Sequence, residues 1–110
     1  MHWKCGVCNL LWEGEAPPET CPKCASPGEK YAQLTDEQWA LVERSRLTND
    51  IHINLLTILP ELKTMAQQGI ADDLDARCVA VFQRLHDEVE FLERSIKGEL
   101  NGHMMRGKWG

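Results

Sequence analysis

Cys5-Gly6-Val7-Cys8 and Cys21-Pro22-Lys23-Cys24 decide how this chain is read. Twelve residues separate the two Cys-x-x-Cys pairs. Each pair predicts a knuckle, a tight turn that aims two sulfurs at one ion. Together Cys5, Cys8, Cys21 and Cys24 predict a tetrahedral four-thiolate site for a single zinc or iron ion. Backbone N–H groups around Val7, Cys8 and Leu10, and around Lys23, Cys24 and Ser26, are expected to point at the sulfurs. Such donors spread thiolate charge and raise the reduction potential of a bound iron. The residue after each knuckle tends to need positive φ. Asn9 meets that need well and Ala25 less well. Pro22 fixes the entry to the second knuckle.

Working outward, the chain has 110 residues, room for one ordinary domain or two small ones. With 43% hydrophobic and 26% charged residues it reads as globular. A net charge of −5 without a basic cluster argues against nucleic acid or an anionic membrane surface as partner. The first residues contain no apolar run, so no secretory leader is expected. The stretch from Ile51 to Leu62 is broken by His52, Asn54 and Pro60 and does not read as a membrane span. Paired Cys-x-x-Cys usage favours metal over disulfides and places the chain in a reducing, cytoplasmic compartment. Cys78 lies apart, on a helical pattern, and reads as a small buried hydrophobe.

Composition changes near residue 34. Residues 1–34 hold the four paired cysteines and the aromatic rings nearest them, Trp3, Trp12 and Tyr31. Residues 35–102 predict two helices, about 36–67 and 73–100, and 103–110 form a short tail. Thr35-Asp36-Glu37-Gln38 is a capping box opening the first helix. Its apolar stripe runs Leu47, Ile51, Leu55, Ile58, Leu62 and Met65, widened by Ile53, Leu56 and Leu59. Pro60 predicts a kink or a break, and Gly69 a C-terminal stop. Asp72 or Asp73 caps the second helix, whose seam is Cys78, Phe82, Leu85, Val89, Leu92 and Ile96. The fold class is therefore a small metal-bound module of short β-strands followed by an all-α antiparallel helical hairpin. A lone hairpin cannot bury so wide a stripe, which predicts a homodimer completing a four-helix bundle.

The run Trp3 to Tyr31 resembles the rubredoxin-like domain of rubrerythrins. The resemblance rests on an aromatic two residues before Cys5, the twelve-residue gap, and the segment Glu13-Gly14-Glu15-Ala16-Pro17. Cys21-Pro22-Lys23-Cys24 and the aromatic Tyr31 complete it. It covers about residues 1–34. It implies a short-stranded fold holding one iron, ferrous or ferric, between Cys5, Cys8, Cys21 and Cys24, with electron transfer to a redox partner protein as the role. Asn9 and Ala25 stand where rubredoxins usually carry glycine. The larger departure is that rubrerythrins join this module to a four-helix di-iron domain, while this chain holds two long helices and the module comes first.

Di-iron carboxylate sites use inward carboxylates and Glu-x-x-His motifs. The nearest match here, Gln83-Arg84-Leu85-His86, lacks the carboxylate, and no complete catalytic set is found, so the chain does not read as an enzyme. If the hairpin turns near residue 70, residue n faces about 140 − n, and His52, His86 and Glu90 become candidates for a second metal site. The bland reading makes both histidines ordinary hydrogen-bonding residues beside the seam. The function expected is an iron-binding rubredoxin-like electron carrier with a helical dimerisation or docking domain. The alternative is a structural zinc ribbon on a helical adaptor, since thiolate sites hold zinc more tightly than ferrous iron.

Overall fold

The computed structural model describes residues 1–110 as two compact units. The first contains residues 1–46 and 107–110, and the second residues 47–106.

In the first unit, three short strands form an antiparallel sheet: β1 (His2–Cys5), β2 (Leu11–Glu13) and β3 (Tyr31–Gln33), in the order β2-β1-β3. The register sets Trp3 opposite Trp12 and Cys5 opposite Tyr31. Side chains alternate across a strand, so this register gathers the rings and sulfurs together. Cys5, Cys21 and Tyr31 are buried, with Trp3, Cys8, Leu10, Trp12 and Cys24 packed around them. The Trp3 indole N–H donates to the Gly14 carbonyl at 3.0 Å, closing the hairpin segment between the knuckles. A bridge between Thr20 and Pro27 frames the second knuckle. Gly28, beyond that bridge, faces the Pro18 carbonyl so closely that a Cβ would sit 2.2 Å from its oxygen.

The capping box forms as expected. The Gln38 amide donates to Thr35 Oγ1 at 3.1 Å, and the Thr35 amide donates to Gln38 Oε1 at 2.8 Å. It opens helix α1 (Asp36–Asp72). Still within the first unit, the His2 ring stacks on Trp39 at 3.7 Å and the Arg46 guanidinium lies 4.9 Å from the Trp39 ring centre. These contacts tie β1 to the first turns of the helix through stacking and cation–π attraction.

The second unit is a helical hairpin made by the rest of α1 and helix α2 (Ala76–Met105). Both helices run longer than their sequence spacing predicts. Pro60 lies inside α1 and does not end it. Gly69 is not the stop either. The Phe82 ring of α2 packs on it so tightly that a Cβ would come within 2.3 Å of the ring. Its glycine serves helix–helix approach, and the helix ends instead at Asp73, whose φ of 51° is left-handed. Asp75, rather than Asp72 or Asp73, is the N-cap of α2, accepting from the Cys78 amide at 2.8 Å. At the far end α2 passes through Asn101-Gly102 to Met105, taking in residues expected in the tail.

The buried faces also differ from the expected stripes. Leu59, Ala66, Val89, Ile96 and Leu100 are buried, with Asn49 among them. Of the expected seam of α1, Leu47, Ile51, Leu55, Ile58 and Met65 are exposed and Leu62 alone is partly buried. On α2 the seam holds at Val89 and Ile96, but Leu92 is exposed and its neighbour Glu93 turns partly inward. No helix is long and apolar enough to cross a membrane.

Candidate metal centre

The two knuckles share one backbone pattern. In the first, the Asn9 amide donates to the Cys5 carbonyl at 3.0 Å and the Cys5 amide to the Leu10 carbonyl at 2.9 Å. In the second, Ala25 donates to Cys21 at 2.9 Å and Cys21 to Ser26 at 2.8 Å. Both turns close through a residue of positive φ, 64° at Asn9 and 61° at Ala25. Asparagine tolerates this conformation, while alanine adopts it under strain.

The turns bring all four sulfurs within 4.8 Å of one another. Cys5 Sγ lies 3.8 Å from Cys24 Sγ, and Cys8 Sγ 3.6 Å from Cys21 Sγ. Sulfurs bound at 2.3 Å to one tetrahedral ion lie about 3.8 Å apart, so the set fits a single such ion. All are free thiols, and these contacts are far too long for disulfides.

Donors converge on the sulfurs. The Tyr31 hydroxyl donates to Cys21 Sγ at 3.2 Å, and the Ser26 hydroxyl lies 3.2 Å from Cys24 Sγ. Burial opposes ionisation of Cys21, yet the Tyr31 hydroxyl and the amides of Cys24 and Lys23 outweigh it and lower its pKa to about 6. At Cys24 the Ser26 hydroxyl and amide lower the pKa against burial. At Cys8 the Leu10 amide favours the thiolate. Burial and the sulfurs of Cys21, Cys24 and Cys5 outweigh it and push the pKa up to about 11. The Tyr31 hydroxyl is raised, first by its bond to Cys21 and then by burial. The pattern is that of like charges crowded together: some thiolates form readily, and the rest need a cation among them. Leu10, Lys23, Cys24 and Ser26 all lie among the amides expected to face the sulfurs.

Exposure is uneven. Cys5 and Cys21, the first cysteine of each knuckle, are buried, whereas Cys8 and Cys24 are half-buried. The cluster therefore reaches the surface through the second cysteine of each pair, next to exposed Val7.

Residues 3–32 match the family model of the rubrerythrin rubredoxin-like domain. This rubredoxin-like module is 40% identical over 37 residues to a rubrerythrin of Clostridium perfringens, covering 34% of this chain and 18% of that protein. It is 40% identical over 35 residues to reverse rubrerythrin-1 of Clostridium acetobutylicum, covering 32% of this chain and 19% of that protein. The chain thus matches about a fifth of the length of these curated relatives, all of it in and around the module. No solved structure matches the chain.

The second candidate set comes together only in part, at His86 and Glu90. Asn49 meets His103, and Lys63 meets Glu90, so paired positions sum to about 152 and not 140. His52 therefore lies beside His103, with ring centres 6.4 Å apart. His86 keeps company with its own helix, 3.4 Å from Asp87 and 3.8 Å from Glu90, at the level of Gln67. The shift arises because α1 continues past Gly69, moving the turn towards the C-terminus. Asn49, Glu99 and His103, which no motif singles out, come together instead. The four-residue spacing of Glu99 and His103 was the available signal, hidden by assigning residue 103 to the tail.

Proposed function

We propose that the chain binds one iron ion in the four-cysteine site and works as a one-electron carrier. The observation that carries this reading is the four-sulfur set, spaced for a single ion inside a rubredoxin-like module. A bound iron would supply a ferric/ferrous couple, and the remainder of the task falls to the chain. Cys5, Cys8, Cys21 and Cys24 hold the ion and offset its charge. Four thiolates leave the site negative, more so in the reduced form. The Tyr31 hydroxyl, the Ser26 hydroxyl and the amides therefore favour reduction by stabilising charge on sulfur. Trp3, Trp12 and Leu10 keep water from the buried side. Half-buried Cys8 and Cys24 offer the short route to a redox partner protein.

The helical hairpin serves dimerisation or docking in this reading, with the exposed Leu47, Ile51, Leu55 and Ile58 as its interface. Five free thiols suit a reducing cytoplasmic setting. The chain would carry electrons rather than transform a substrate.

Protein purified from iron-replete cells should be red and should bleach with dithionite. Colourless protein containing one equivalent of zinc would instead make the site a structural ribbon. Cys21→Ser should abolish the colour while leaving helical circular dichroism largely intact.

A further inference from the structure

We propose that His52, Glu99 and His103 form a second cation site in the helical hairpin, selective for a divalent transition ion of the zinc type. His103 is nearly buried, its side chain 12% exposed, and its Nε2 lies 3.1 Å from Glu99 Oε1. An ion bound at about 2.1 Å to both atoms would separate them by about 3.0–3.4 Å, so the pair already has the spacing of two adjacent ligands. The other ring nitrogen, Nδ1, is engaged by Asn49 Oδ1 at 2.5 Å. Asn49 is 4% exposed. Without a cation, Nε2 faces Glu99 as an ion-pair donor. With Nδ1–H held by the buried Asn49 carbonyl, loss of the Nε2 proton to an incoming cation would leave its lone pair and the Glu99 carboxylate as adjacent ligands. That is the arrangement by which outer hydrogen bonds orient metal-binding histidines.

His52 supplies the third ligand. Its Nδ1 is buried and has no hydrogen-bond partner, an orphan that costs free energy unless something binds it. Its ring stands edge-on to His103, with centres 6.4 Å apart. Two imidazoles on one tetrahedral ion have centres about 5 Å apart, so the His52 ring has to swing towards His103 to complete the set; only the four cysteines already hold their ligand atoms within 4.8 Å of one another. Two imidazoles and one carboxylate suit a borderline ion better than magnesium or calcium, which prefer all-oxygen sets. The site shares no residue with the four-cysteine centre and does not depend on which metal that centre holds.

The test is calorimetric titration of Zn2+ into the full chain with its four-cysteine site already zinc-loaded. A further equivalent should bind, and both His103→Gln and His52→Gln should weaken it roughly tenfold or more, while His86→Gln leaves it unchanged. Saturation with no further equivalent overturns the site, as does binding that survives both substitutions. Histidine side-chain 15N resonances of the unsubstituted chain give a readout independent of variant folding. Zn2+ should move those of His52 and His103, and shifts confined to His2 or His86 would refute the assignment.

Discussion

Tyr31 donates its hydroxyl to Cys21 Sγ at 3.2 Å, from a ring that is itself buried. The contact links the start of β3 to the second knuckle, so the sheet and the sulfur cluster share one core. It also gives one sulfur a neutral donor in a dry setting, where a hydrogen bond to charge is strongest.

Replacing Tyr31 by Phe keeps the ring and deletes the donor. The reduction potential of the iron-loaded protein should fall, because the more negative reduced form loses the larger stabilisation. Stability should drop by about 1.5–3 kcal/mol, the range for a hydrogen bond to a charged acceptor. Spectroelectrochemical titration and denaturant unfolding check the two effects, and an unchanged potential would remove Tyr31 from the tuning of the site.

Ala25 holds a φ of 61° on an exposed turn. Ala25→Gly relieves about 1–2 kcal/mol of left-handed strain and gives part of it back as chain entropy. A net gain of about 0.5–1 kcal/mol should appear in denaturant titration of the metal-loaded protein. The same change at Asn9 should gain less, since asparagine tolerates its φ of 64°.

Gly69 faces the Phe82 ring, where a Cβ would lie 2.3 Å away. Gly69→Ala improves helix propensity by about 1 kcal/mol yet forces the helices apart. Overpacking should win, with a net loss of about 1–3 kcal/mol. Gly69→Ala combined with Phe82→Leu should recover part of it. A stabilised single variant would show that the hairpin is not closely packed here.

The exposed Leu47, Ile51 and Ile58 are 67%, 47% and 48% accessible. If this face joins two copies, sedimentation of the full chain at micromolar concentration should give about twice the mass of one chain. Ile51→Glu with Ile58→Glu should then produce monomers whose four-cysteine site still binds metal. A monomer before substitution would refute the dimer.

The parts of the molecule governed by neighbours in sequence were legible without coordinates. The knuckles close over a few residues, so Cys5 and Cys8, or Cys21 and Cys24, converge whatever the rest of the chain does. The Thr35 to Gln38 capping box is equally local, and both its hydrogen bonds form.

Legibility failed where two distant segments had to choose each other. Gly69 resembled a helix stop because glycine favours the left-handed cap, but the same missing Cβ admits Phe82, and packing decided which property was used. Carrying α1 past Gly69 moved the turn, and with it the partner of every residue on the hairpin. His52 exchanged the expected His86 for His103, near the other end of α2.

By itself, then, the sequence determined the four-sulfur centre, the start of the first helix and the two-helix plan, because short-range backbone geometry and capping chemistry suffice for them. Only the tertiary structure decided which face of α1 is buried and which histidines meet. The apolar stripe of α1 is wide enough to face either way, and the choice falls to the residues of α2 that pack against it.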